Sequence, residues 1–276
     1  MSHSILDIIG NTPLVISKTI NTNPKVKLFF KLEGNNPGGS VKDRAALNMI
    51  KGGLERGDFD VNSKLIEATS GNTGIALAMI AGIYGLDIEL VMPENSTKER
   101  VQTMRAYGAK VTLTPADVGI EGARDYAELK VKEEGYIMIN QFSNDDNWKA
   151  HYKSTGPEIW RDTQGEITHF VSSMGTTGTI MGTSTFLKEK NSKIQIVGVQ
   201  PADEAKIPGI RKWPVEYLPK IFNPKKVDSV MEVTEQEARD MAKRLAKEEG
   251  IFAGMSSGGA AAAAVKLAQS LEEGTI

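Results

Sequence analysis

Three glycine-rich turns and one lysine are the groups with the most chemistry to offer in this chain. The turns are Asn36-Pro37-Gly38-Gly39-Ser40-Val41-Lys42-Asp43-Arg44, Thr69-Ser70-Gly71-Asn72-Thr73-Gly74 and Gly175-Thr176-Thr177-Gly178-Thr179. Each follows a run that reads as a strand and opens one that reads as a helix. A helix start carries unsatisfied N–H groups and the positive end of the dipole, so each turn is an anion site in waiting. Glycine lets the backbone approach the anion, and serine and threonine hydroxyls add donors. For one such turn, ordinary capping is the better account. Three in one chain, all at strand carboxyl ends, point to a shared cleft for a ligand with several anionic groups. Neither Gly-x-x-x-x-Gly-Lys-Ser/Thr nor Gly-x-Gly-x-x-Gly occurs, so the nucleotide fingerprints do not fit. Lys42 sits in the first turn of its helix, where the dipole disfavours a cation by about 0.3–1 kcal/mol. That field and partial burial depress its pKa and supply the neutral amine that Schiff-base chemistry needs. From local sequence alone, a surface lysine paired with Asp43 or reaching solvent is the better account.

Other chemistries are poorly provided for. Cysteine is absent, which excludes disulfides, thiolate metal sites and a cysteine nucleophile within these residues. The three histidines, His3, His151 and His169, are not at metal-ligand spacing, and no metal is expected. His169, in Ile167-Thr168-His169-Phe170-Val171, reads as a hydrogen-bonded strand residue, and His151 as a packing one. A borrowed cofactor is therefore the attractive idea. The net charge of -2 gives no global field towards nucleic acid or anionic membrane. No apolar run approaches the roughly 20 residues of a spanning helix, and residues 1–10 lack the pattern of a secretory signal. The expected address is the cytoplasm.

The elements that must position these turns alternate regularly. Strands are expected at 26–32, 64–68, 87–92, 109–114, 136–139, 168–172 and 194–199. Helices are expected at 41–55, 73–84, 97–107, 119–134, 177–189, 234–249 and 257–272. Such alternation argues for an α/β fold of mostly parallel sheets covered by helices. The count suggests two sheets in two domains, with the border at the polar, turn-prone stretch Asn144 to Trp148. The nearly all-apolar helix 73–84 should be little exposed. Residues 201–227 carry five of the eleven prolines and no clean period, and read as a long loop with a function.

Taken together, the motifs resemble those of the fold-type II (β-family) pyridoxal-phosphate enzymes, in order and over essentially the whole chain. Lys31-Leu-Glu-Gly-Asn-Asn-Pro-Gly-Gly-Ser-Val-Lys42-Asp-Arg is similar to the family's cofactor-lysine segment, Glu67-Ala-Thr-Ser-Gly-Asn-Thr-Gly to its substrate loop, and Gly175-Thr-Thr-Gly-Thr to its phosphate cup. Ser256, in Gly254-Met255-Ser256-Ser257-Gly258, matches the serine facing the pyridine nitrogen, and Ile9-Gly-Asn-Thr-Pro-Leu14 matches too. Ser172-Ser-Met-Gly-Thr-Thr-Gly-Thr and Ile207-Pro-Gly-Ile-Arg-Lys-Trp-Pro214 resemble the B-type branch of the cysteine synthase family.

This resemblance implies a tryptophan synthase β-like fold. Residues 36–145 would form a smaller domain carrying the substrate loop, and 1–35 with 146–276 a larger one carrying the phosphate cup. It implies pyridoxal 5'-phosphate carried on Lys42, with Asn72, Gly175, Thr176, Thr177, Gly178, Thr179 and Ser256 around it. It implies O-acetylserine bound by Thr69, Ser70, Gly71, Asn72, Thr73 and Gln141, and replacement of acetate by sulfide or thiosulfate to make cysteine or S-sulfocysteine. Arg211 and Lys212 would help admit thiosulfate. The second position is usually arginine in the B type, and a lysine keeps the charge without the bidentate fork. Family members continue past the last helix with a further strand, which Gly274-Thr275-Ile276 would begin. A homodimer is implied, and docking to serine acetyltransferase is left open. Alternatives on the same scaffold are serine or threonine dehydratase, O-phosphoserine sulfhydrylase and a non-catalytic regulatory partner.

Overall fold

The computed structural model describes residues 3–276. Its elements run β1 (Leu14–Ile16), β2 (Val26–Lys27), β3 (Phe29–Lys31), α1 (Lys42–Arg56), β4 (Lys64–Ala68), α2 (Asn72–Tyr84), β5 (Asp87–Pro93), α3 (Lys98–Ala106), β6 (Lys110–Thr114), α4 (Gly119–Glu134) and β7 (Ile137–Met138). They continue with α5 (Asp145–Lys153), α6 (Thr155–Asp162), β8 (His169–Ser173), α7 (Gly178–Lys190), β9 (Gln195–Pro201), β10 (Ser229–Val233), α8 (Glu235–Glu249), α9 (Met255–Ser270) and β11 (Gly274–Thr275). The chain divides into two compact units, residues 3–9 with Gly34–Asn147 and Gly10–Glu33 with Trp148–Ile276. Residues 3–9 go with the first unit because Leu6 and Ile9 pack against its core.

The first unit is built on one parallel sheet in the order β6-β5-β4-β7. Strand side chains alternate between faces. Leu65, Leu90 and Met92 share a core with Ala45, Met49 and Ile50 of α1 and Leu77 and Ile80 of α2. Ile66 and Val91 instead meet Ala123 and Ala127 of α4. Burying a leucine or isoleucine as fully as Leu65, Leu77 or Leu90 stabilises by about 1.5–3 kcal/mol. Helix α2 is apolar nearly all round and correspondingly buried from Thr73 to Ala81, apart from Ile75. It also lies tight against its successor. A Cβ on Gly82 would stand 2.6 Å from the Tyr107 carbonyl oxygen, and one on Gly74 2.7 Å from Met104 Cε.

The second unit holds the parallel sheet β10-β9-β8 and two ribbons, β1-β3 antiparallel and β11-β2 parallel. Val199 and Val233 pack with Ala238 and Leu245 of α8 and Ala263 of α9. Ile196 packs with Ile180 and Leu187 of α7. Helix α8 opens on a capping box between Thr234 and Glu237. Near its far end the Glu249 carboxylate gathers Ser17 Oγ (2.7 Å) and the N–H groups of Lys18, Thr19 and Ile20 (3.1, 2.9 and 2.8 Å). These bonds hold its pKa down at about 2 against the burial that raises it.

Several sequence expectations change. The polar link at 144–148 begins a helix: Asp145 and Asp146 lie in the first turn of α5, where carboxylates suit the dipole. Strand β10 was not anticipated. Its side chains are mostly exposed, so only its ladder with β9 defines it. The two main sheets are joined by two small ribbons, four sheets rather than two. Residues 202–228 hold only two short 3-10 turns, Val215–Tyr217 and Pro224–Lys226. At the other end, Thr275 pairs with Lys27 and receives the Thr168 N–H at 2.9 Å, and Ile276 is buried. Among the described residues no helix is long and apolar enough to cross a membrane, and no group of three or more acids and histidines is arranged to hold a metal.

Candidate active site

In the first unit, Lys42 stands in the first turn of α1, and the turn 69–73 leads into α2, which Asn72 begins. The Ser40 hydroxyl accepts the Lys42 N–H at 3.2 Å, and the Gly38 N–H donates to the Asp43 carboxylate, which is fully buried. Behind Lys42, Ala45, Ala46, Met49 and Ile50 anchor the helix in the core. Lys42 itself is half-buried and makes no ion pair among the described residues. Burial pushes its ammonium below the ordinary lysine value, so the neutral amine is more accessible than on a surface lysine.

Strand β4 delivers the second turn. Thr69 is buried and donates its N–H to the Val91 carbonyl (2.9 Å), Ser70 offers its carbonyl to Arg100 (3.2 Å), and Gly71 caps α2. Asn72 is exposed at the first position of α2. Thr73 is buried and donates its hydroxyl proton to Gln141 Oε1 at 2.8 Å, so these two sequence-predicted residues do come together. Gln141 is held from beneath by Glu67, whose carboxylate accepts the N–H groups of Asn140 (2.7 Å) and Gln141 (3.3 Å). Burial is the largest influence on Glu67 and raises its pKa to about 7 in spite of those bonds.

In the second unit, β8 leads into the third turn and α7. Thr177 takes a left-handed backbone (φ 71°), unusual for a β-branched residue, and caps the helix from that conformation. Thr176 and Gly178 beside it are buried, and Thr179 is half-buried. Gly175 has no room for a side chain, since a Cβ there would stand 2.7 Å from the Gly209 carbonyl oxygen. The segment 207–213 is laced to the turn: the Arg211 N–H donates to the Met174 carbonyl (2.8 Å) and the Trp213 indole to the Gly175 carbonyl (2.7 Å). Gly209 (φ 89°) lies against Ser256, at the N-terminus of α9, whose carbonyl accepts the Ser173 hydroxyl at 2.8 Å. The cup, the 207–213 segment and Ser256 thus form one cluster.

The cup suits a phosphate group. The Thr177 hydroxyl oxygen is buried without a protein partner, a state that costs about 1–3 kcal/mol unless something else accepts its proton. It stands at the start of a 13-residue helix, where N–H groups and dipole favour an anion.

The two cations expected to admit thiosulfate differ. Lys212 is bound to Asp203 (2.6 Å) and Glu232 (2.7 Å), which raise its pKa. Arg211 is exposed, without a carboxylate partner among the described residues, and its guanidinium lies 5.9 Å from the Trp213 ring centre. Both line a surface hollow of about 580 Å³ formed by residues 201–212. His169 is held by the Thr168 hydroxyl at 2.8 Å, and burial lowers its pKa. His151 is buried, 2.8 Å from Thr155 Oγ1 and 3.4 Å from Thr179 Oγ1. Sequence reasoning did not single out Glu67 or Gly209. Glu67 leaves one trace, an acid interrupting the apolar run Leu65-Ile66-Ala68.

The chain is similar to known proteins over nearly its whole length. The profile of the family described as pyridoxal-phosphate dependent enzyme matches residues 5–276. Cysteine synthase B of Pseudomonas aeruginosa is 55% identical over 273 residues, covering 99% of this chain and 91% of that protein. Cysteine synthase B of Escherichia coli is 53% identical over 262 residues, covering 95% and 86%. The crystal structure of cysteine synthase from Entamoeba histolytica superimposes with a TM-score of 0.95 at 37% identity, over 100% of this chain and 86% of that one. A family profile matched from residue 5 to residue 276 and relatives more than half identical over nearly the whole chain lead to one assignment: the chain belongs to the pyridoxal-phosphate-dependent enzymes.

Proposed function

We propose that the chain makes L-cysteine by β-replacement on O-acetyl-L-serine with sulfide, and that it accepts thiosulfate as a second sulfur donor. The observation that carries this reading is the 55% identity to a cysteine synthase B over 99% of the chain.

Lys42 would hold the cofactor, the turn from Gly175 to Thr179 would receive its phosphate, and Asn72 and Ser256 would supply hydrogen-bonding groups to its ring. When bound, the cofactor supplies an electron sink that makes the Cα proton of an attached amino acid acidic. A neutral serine does not enforce a positive charge on the cofactor ring, which moderates the sink and favours chemistry at Cβ. The substrate carboxylate is received by Thr69, Ser70, Gly71, Asn72 and Thr73 with Gln141. Lys42 Nζ, once released, takes the proton from Cα as acetate leaves Cβ, and returns it after the sulfur nucleophile has added. Arg211 guides the thiosulfate dianion, and the Lys212 charge is largely spent on Asp203 and Glu232. On this reading the enzyme is a cytoplasmic homodimer.

Absorption spectra of the purified holoenzyme test the assignment. The visible band should shift when O-acetylserine is added and return when sulfide or thiosulfate follows. Lys42→Ala should lose about 10³-fold or more in turnover, in keeping with a residue that moves the proton. A band indifferent to O-acetylserine, or an active Lys42→Ala protein, would refute the proposal.

A further inference from the structure

An acid in the middle of a buried strand needs a reason. Glu67 is 3% exposed, flanked along β4 by the buried Leu65, Ile66 and Ala68, and opposite Leu90 on β5. Burying a carboxylate costs several kcal/mol unless partners compensate, and no lysine or arginine lies within ion-pair distance among the described residues. Its nearest partners are instead two successive backbone N–H groups, at Asn140 (2.7 Å) and Gln141 (3.3 Å), with the Gln141 side-chain amide and the more distant Arg124 charge also favouring the carboxylate. The backbone they belong to is unusual, with Asn140 in the left-handed region at φ 54°. The same short stretch is gripped again by Asn147, whose side-chain N–H donates to the Gln141 carbonyl at 2.7 Å. What this anchoring fixes is the Gln141 side chain, whose oxygen accepts the Thr73 hydroxyl at 2.8 Å on the first turn of α2.

We propose that Glu67 is a positioning residue for the amino-acid substrate: by pinning the 140–141 backbone it sets the Gln141–Thr73 pair that shapes the floor of the substrate loop. This rests on the reading of residues 69–73 with Gln141 as the substrate-carboxylate site. Glu67 does not touch the substrate. It acts through Gln141, so its loss falls on amino-acid binding and leaves the proton transfer at Lys42 and the entry of the sulfur donor intact. Two convergent N–H donors match a carboxylate, which offers two acceptors. A glutamine offers one acceptor and turns an NH2 group against the second N–H.

The test compares wild-type holoenzyme with Glu67→Gln in steady-state kinetics and in amide hydrogen exchange. Expected is a tenfold or greater rise in KM for O-acetylserine, kcat within threefold of wild type, KM for sulfide within twofold, and at least tenfold faster exchange at Asn140 and Gln141. An unchanged KM for O-acetylserine, or equal losses for both substrates, overturns the proposal. Should Glu67→Gln fail to fold, Glu67→Asp, which keeps the charge but draws it back from the 140–141 N–H groups, must show the same split in KM; an unchanged KM there overturns it equally. If the wild-type enzyme itself ignores O-acetylserine, the functional reading has failed on its own account. Exchange at residues 140 and 141 then still decides whether Glu67 pins this backbone, and unaltered exchange in Glu67→Gln overturns the proposal.

Discussion

Gly209 stands so close to Ser256 that a methyl group on its α-carbon would lie 3.2 Å from both the Cβ and the Oγ of the serine. Its backbone is also left-handed, at φ 89°, where L side chains are strained. Gly209→Ala should therefore displace Ser256 as well as strain the loop. The expected result is about tenfold weaker retention of pyridoxal phosphate, read by titration of cofactor-free protein, with a stability loss of about 1–2 kcal/mol.

The unspent hydroxyl of Thr177 predicts a trade between stability and cofactor binding. Thr177→Val keeps the branched shape and removes the buried donor. Cofactor-free protein should gain up to about 1 kcal/mol, because no buried hydroxyl is left unsatisfied. The same variant should bind pyridoxal phosphate several-fold more weakly. Paired thermal melts, with and without cofactor, read both effects, and a variant that melts lower in both states would contradict the account.

Two buried or bound carboxylates bend the pH dependence of stability in opposite senses. Glu67 has its pKa raised to about 7, so the folded state holds this proton more tightly than the unfolded one. Its contribution is full below about pH 4.5 and is lost as pH rises through 7, by up to about 3 kcal/mol. Glu249, lowered to about 2 by its four donors, works the other way. Its contribution is present above about pH 4.5 and fades as pH falls towards 2. Urea titrations from pH 3 to 8 should show Glu67→Gln flattening the neutral limb and Glu249→Gln the acid limb.

Arg211 and Lys212 should separate in a donor assay. Arg211→Ala should lower kcat/KM for thiosulfate by about tenfold, the worth of one charge-assisted contact, and leave sulfide nearly unchanged. Lys212→Ala should do little to either donor, because its ammonium is already shared between Asp203 and Glu232. Equal effects of the two substitutions would return Lys212 to the binding site.

The parts legible in the sequence are those written in local chemistry. The apolar run of β4, the all-apolar α2 and the glycine-rich turns each carry their own signal. The seven expected helices and the strands from β4 to β9 fall within a few residues of where periodicity puts them. By contrast, α5 and α6 lie outside the expected helices, and the expected strand 26–32 is divided between β2 and β3, which pair in different ribbons. Strand β10 was missed because its side chains are mostly exposed and only its pairing with β9 defines it. The first turn of α5 reads as a link in the sequence because Asp and Asn favour turns and helix starts alike. Glu67 and Gly209 escaped for a related reason: their importance lies in contacts with Gln141 and Ser256, far along the chain, and no spacing rule reaches that distance.

The close seat of α2 on the segment that follows it has a wider meaning. Where Gly82 meets the Tyr107 carbonyl, backbone lies against backbone with no side chain between to absorb a shift, and Gly74 rests on the end of the Met104 side chain. The alignment of Thr69 to Thr73 is in this sense inherited from residues 104 and 107, which bring no reactive group of their own. A side chain at position 82 would push the helix off that carbonyl and carry the preceding turn with it, so its effect would be felt well away from the residue that was changed.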